Sequence, residues 1–109
     1  MHENPKDPAA CRTMAEVRHG IDRLDLEIAQ RLGRRFRYMD AAARIKEERS
    51  TVRDEARKAQ VLANVAAAAR REGVPVELAA ALYEQLIEAS IAYELERFDA
   101  LRAEVSPAK

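Results

Sequence analysis

The stretch TMAEVRHGIDRLDLEIAQRLGRRFRYMDAAARIKEE, residues 13–48, decides the fold. Met14, Val17, Ile21, Leu24, Ile28, Leu32, Met39 and Ala42 recur at helical spacings. At about 100° per residue they all fall within about 40° of Ile28, so they form one unbroken apolar stripe. Thr13 is placed to cap the helix start, with Glu16 three residues later completing a capping box. Gly20 and Gly33 weaken the helix locally without breaking it. The pattern predicts a single helix of roughly 33 residues, about 50 Å long.

Outward from this helix, the polar segment EERSTVRD, residues 47–54, ends the stripe. Asp54 suits the N-cap of a second helix running to about residue 72, with Val61, Leu62 and Val65 on its apolar side and Gly73 at its C-terminal cap. Pro75 suits the first turn of a third helix that runs to about residue 103, or about 43 Å. Its apolar band is Leu82, Leu86, Ile87, Ile91, Phe98 and Leu101. Residues 1–12, with two prolines, read as a flexible lead-in, residues 13–103 as one helical domain, and residues 104–109 as a frayed tail. The expected fold is all-α: a three-helix chain, long, medium, long. Within one chain only the third helix approaches the first in length. Much of the first stripe is therefore left for a second chain to cover, and a homodimer is expected.

Composition narrows the function. A chain of 109 residues suits one small domain. Lys+Arg and Asp+Glu each number 19, and this balance argues against a nucleic-acid partner. Cys11, the one cysteine, cannot form an internal disulfide and reads as an ordinary thiol. No secretory signal and no membrane-spanning run is evident, so a cytoplasmic protein is expected. There is no phosphate-binding loop, no dinucleotide fingerprint, no Ser-His-Asp arrangement and no metal-spaced His/Cys cluster. His2 and His19 are isolated. Neither a metal nor a cofactor is expected.

The chemistry lies in the residues that break the apolar pattern. Arg35 falls about 20° from the centre of the first stripe and Lys46 almost on it. Both point where Leu32 and Met39 point, and a buried cation needs a counter-charge or a polar cavity. Their backbones stand about 16 Å apart on one face, a spacing at which two long side chains bracket a small anion. The competing reading is snorkelling cations or internal salt bridges. Ser90 and Glu94 interrupt the apolar band of the third helix one turn apart. Ser90 alone is absorbed by back-bonding to the helix, whereas Glu94 either pairs with Arg35 or Lys46 or serves a ligand. Asp54 and Arg57 open the second helix, where a plain cap and a solvated cation are the simpler readings. Arg18 lies about 42 Å along the helix from Lys46 and joins it at one small ligand only across an antiparallel dimer.

The segments EVRHGIDRLDLEIAQRLGRR, AAARIKEE, VRDEAR and LYEQLIEASIAYE, in this order and spacing, resemble the all-helical chorismate mutase family and its close relative, isochorismate-pyruvate lyase. The resemblance spans roughly residues 13–102. It implies an intertwined helical dimer with shared active sites and a small dicarboxylate substrate, chorismate or isochorismate. It also implies roles. Arg18 reaches the site of the partner chain; Arg35 and Arg57 bind carboxylates; Lys46 contacts the ether oxygen and a carboxylate. Asp54 holds the substrate hydroxyl, Ser90 lies beside the ring substituents, and Glu94 faces the ether oxygen. Catalysis falls to Lys46, Glu94 and Arg35.

The implied reaction is the pericyclic rearrangement of chorismate to prephenate. It needs no covalent catalyst, only a fixed reactive conformer and relief of negative charge on the breaking C–O bond. A carboxylate accepts hydrogen bonds and cannot donate them, so Glu94 helps only when protonated. Turnover is thus expected to rise at mildly acidic pH. Lys58 stands where the mutases commonly carry Glu. The alternative reaction is the lyase's, giving salicylate and pyruvate from isochorismate. Asp54, Ser90 and Glu94 favour the mutase, because the lyase carries Gln at the last position and lacks the Asp–Ser pair. A non-catalytic dimerisation module, its buried charges setting register, is the alternative of another class.

Overall fold

The computed structural model describes residues 4–105, and three α-helices carry the chain: α1 (Met14–Ile45), α2 (Glu55–Glu72) and α3 (Val76–Val105). Among the described residues there is no strand. They fall into two compact units, one ending at Arg37 and the other beginning at Tyr38, with α1 contributing to both. His2 and the segment 106–109, expected as frayed, lie outside the described residues.

In the first unit the capping box forms as the sequence predicts. The Glu16 N–H donates to Thr13 Oγ1 at 3.2 Å, and the Thr13 N–H donates back to Glu16 Oε1 at 3.2 Å. Glu16 also accepts from the Arg12 N–H at 2.7 Å and pairs with Lys6 at 2.6 Å. The Lys6 hydrogen bond, then the Arg12 N–H, holds this carboxyl down at about 2. The expected lead-in therefore has local order: a 3-10 turn at Pro8–Ala10, with Asp7 Oδ2 accepting from the Ala9 N–H at 3.1 Å. The α1 stripe in this unit is largely uncovered, with Met14, Ile21, Leu24 and Ile28 each 50–57% exposed.

The second unit packs the end of α1, a 3-10 turn at Arg49–Thr51, α2 and α3. Its centre is Ala43, fully buried, with Val52 and Phe98, flanked by Ile91, Leu95 and Leu101. Asp54 caps α2 by accepting from the Arg57 N–H at 3.0 Å. Gly73 ends α2 in the left-handed conformation at φ 75°, where a side chain would be strained, and the Val74 N–H closes onto Ala69 O at 2.9 Å. Pro75 stands one position earlier than predicted. Its carbonyl accepts from the Ala79 N–H at 3.0 Å, which makes it the cap of α3 rather than its first residue. Helix α3 also continues past residue 103 to Val105. Of its predicted apolar band, Ile87 and Phe98 are buried, whereas Leu82 is 63% exposed.

Candidate active site

Lys46 is the residue after the last turn of α1, and its N–H still bonds to Ala42 O at 2.9 Å. It thus keeps helical register, which turns its side chain inward. Nζ stops 2.8 Å from Oε2 of Glu94 on α3. The Glu94 side chain is 6% exposed and that of Lys46 30%. The contact is one of charge rather than an aligned hydrogen bond: Oε2 is buried and has no hydrogen-bond partner. A buried carboxylate oxygen in this condition has unused capacity to bond a donor. One turn earlier on α3, Ser90 is also buried, and its hydroxyl donates to Leu86 O at 2.7 Å. This is the back-bonding that a helix interior offers a serine.

Of the residues singled out in the sequence, the structure joins Lys46 and Glu94 directly. Asp54 and Arg57 meet through the α2 cap, and the Arg57 guanidinium donates to Gln60 Oε1 at 2.7 Å. Arg18 and Arg35 belong to the first unit, where Arg18 is exposed and Arg35 half-buried.

Sequence reasoning missed three sets of contacts in the second unit. Arg102 on α3 donates to Ala43 O at 2.6 Å and to Lys46 O, and its guanidinium lies 3.6 Å over the Phe98 ring. Tyr93, the neighbour of Glu94, donates to Asp40 Oδ1 at 2.6 Å, and Arg97 approaches the same oxygen at 3.4 Å. The bond to Asp40 pushes the Tyr93 hydroxyl above its ordinary pKa. Lys58 sets its ammonium 2.5 Å from Glu84 and 2.8 Å from Glu88. Glu88 also takes the Arg53 guanidinium, and Arg53 with Lys58 holds the Glu88 carboxyl at about 2. The i, i+4 spacing of Glu84 and Glu88 marks a two-carboxylate receptor on one helix face, and that signal was available in the sequence. Lys58 therefore sits between two glutamates of α3.

Among the described residues, no group of three or more acidic, His or Cys side chains is arranged to hold a metal. No helix among them is long and apolar enough to cross a membrane.

Two comparisons with known proteins bear on this geometry. The chorismate mutase type II family matches residues 17–95, which include Lys46, Asp54, Arg57, Ser90 and Glu94. The isochorismate pyruvate lyase of Pseudomonas aeruginosa is 36% identical over 90 residues, covering 83% of this chain and 89% of that protein. Both point to an enzyme of the chorismate mutase and isochorismate pyruvate lyase group. This chain, all-helical in its described residues and with Lys46 paired to the buried Glu94, belongs to the type II chorismate mutase family.

Proposed function

We propose that this protein is a chorismate mutase that rearranges chorismate to prephenate in aromatic amino acid biosynthesis in the cytoplasm. The observation that carries this reading is the Lys46 ammonium set against a buried carboxylate, 2.8 Å away, in a chain of this family. Lys46 supplies positive charge to the ether oxygen as its bond to carbon breaks, and Arg35 and Arg57 bind the substrate carboxylates. Asp54 orients the substrate hydroxyl, and Ser90 borders the ring. The domain of residues 13–103 works as a homodimer, with Arg18 serving the partner's site. The exposed Ile21, Leu24 and Ile28 of α1 support this, because such a stripe gains free energy by burial against a second copy. The rearrangement is unimolecular and needs no cofactor.

Glu94 restrains Lys46. As a carboxylate it holds the ammonium and, being only an acceptor, repels an electron-rich ether oxygen. An amide at this position frees the ammonium and donates a hydrogen bond, so Glu94→Gln is expected to speed prephenate formation.

A second reaction, elimination of pyruvate from isochorismate to leave salicylate, is favoured by one observation: the 36% identity to the Pseudomonas lyase. Asp54 and Ser90 favour the mutase. Incubating the purified protein with chorismate and, separately, with isochorismate, and following prephenate and salicylate, decides between them. Prephenate as the faster product supports the mutase, and salicylate as the faster product replaces it with the lyase. No product from either substrate overturns both.

A further inference from the structure

We infer that Arg102 is a positioning residue for Lys46: it ends α1 where it does and thereby fixes the lysine against Glu94. This rests on the reading of Lys46 as the group that meets the reacting ether oxygen.

The sequence after Ile45 contains no stop signal. Lys46, Glu47 and Glu48 are good helix formers, with no Gly or Pro among them to end the helix. Yet α1 stops at Ile45, and Glu48 already has an extended backbone at φ −115°, ψ 128°. A helix end leaves its last carbonyls without intrahelical partners. Arg102 answers two of them at once, with Nη1 on Ala43 O at 2.6 Å and Nη2 on Lys46 O. A planar guanidinium with donors in a fixed fork spans two carbonyls in this way, and its charge suits the negative end of the helix dipole. The fork is itself held, because the guanidinium lies 3.6 Å over the ring of Phe98, which is buried in the cluster with Ala43.

Arg102 and Glu94 are two turns apart on α3, about 12 Å along its axis. The same helix therefore grips Lys46 at both ends, its carbonyl through Arg102 and its ammonium through Glu94. If the backbone grip is lost, the last turn of α1, whose carbonyls Arg102 holds, is free to fray. A frayed turn no longer keeps Lys46 in the helical register that points its ammonium at Glu94. The neighbouring Arg49–Asp99 pair also ties this connection to α3, but both side chains are more than half exposed, so it serves as the control.

The test compares wild type with Arg102→Ala, Arg102→Lys and Arg49→Ala. Helicity is checked by circular dichroism, kcat and KM are measured with chorismate and with isochorismate, and the Lys46 ε-methylene protons are followed by NMR, assigned through Lys46→Arg. A fixed lysine shows two distinct ε-proton shifts and a mobile one a single averaged shift. Arg102→Ala and Arg102→Lys are expected to lower kcat roughly tenfold or more, with KM changed less than about threefold, and to merge the Lys46 signals. Arg102→Lys keeps the charge but not the fork, so it restores stability without restoring kcat. Arg49→Ala leaves both readouts at wild-type values. If Arg102→Ala fails to fold, Arg102→Lys decides. The proposal is overturned if Lys46 keeps two ε-proton shifts in the folded Arg102 variants, or if Arg102→Lys holds kcat within about twofold of wild type. If wild type turns over neither substrate, the functional reading fails, while the Lys46 signals still decide the role of Arg102.

Discussion

The two ends of α1 are built from similar helix formers and meet different surroundings. Before Arg37 the helix exposes its apolar stripe, with Leu24 56% and Ile28 54% exposed. Beyond Tyr38 the same helix buries Ala43 completely and delivers Lys46 to a carboxylate. In the second region charges are neutralised by named partners: Lys46 by Glu94, Lys58 by Glu84 and Glu88, and Asp99 by Arg49. In the first, the unspent quantity is apolar surface. One region thus has its partners within the chain, whereas the other presents an exposed apolar stripe. A second copy of the chain is the occupant proposed above.

The largest expected effect falls on activity. Lys46→Ala and Arg35→Ala should each lower kcat/KM by roughly a hundredfold or more while circular dichroism stays helical, because each removes a charge proposed above to meet the substrate. Full activity in either variant would remove that residue from the site. A smaller, partial effect tests whether the two regions meet across chains. Arg18→Ala and Lys46→Ala chains are each expected to be inactive alone. Mixed in equal amounts and allowed to exchange, they should regain about a quarter of wild-type activity, because half of the dimers are mixed and each mixed dimer holds one intact site of two. No recovery, with exchange verified by mass, would place Arg18 and Lys46 in unrelated roles.

The smallest effect concerns acid stability, and it sharpens the contrast from the charged side. The Glu88 carboxyl is held at about 2, below its ordinary 4.5, by hydrogen bonds from Arg53 and then Lys58. A carboxyl depressed in the folded state adds stability above its unfolded pKa and loses it as pH falls through the folded one. The Glu88 contribution is thus complete above about pH 4.5 and fades toward about pH 2. Glu88→Gln should flatten the fall in thermal midpoint across that interval. An unchanged acid profile would show that the Arg53–Glu88–Lys58 network adds little.

Much of the fold was legible because its signals are local. Thr13 and Glu16 open the first helix, Asp54 opens the second and Gly73 ends it, each through bonds to backbone groups a few residues away. Lys46 and Glu94 were legible as exceptions to an apolar stripe, and the structure joins them. Arg102 was not, because what it caps lies 56 and 59 residues earlier, and no local pattern reports a donor that arrives from another helix. The pairing of Lys58 had a local half, the two glutamates one turn apart, but which cation they would receive depends on the packing of α2 on α3. The displacement of Pro75 by one position is of the size at which helix ends are ordinarily blurred.

The central claim is that the Lys46–Glu94 contact governs the chemistry, and the rate of prephenate formation by Glu94→Gln tests it most directly. A carboxylate only accepts hydrogen bonds, whereas the amide of Gln also donates one and no longer holds the Lys46 ammonium as a counter-charge. The variant is predicted to turn over chorismate faster than wild type. A Glu94→Gln rate equal to or below that of wild type would contradict the account.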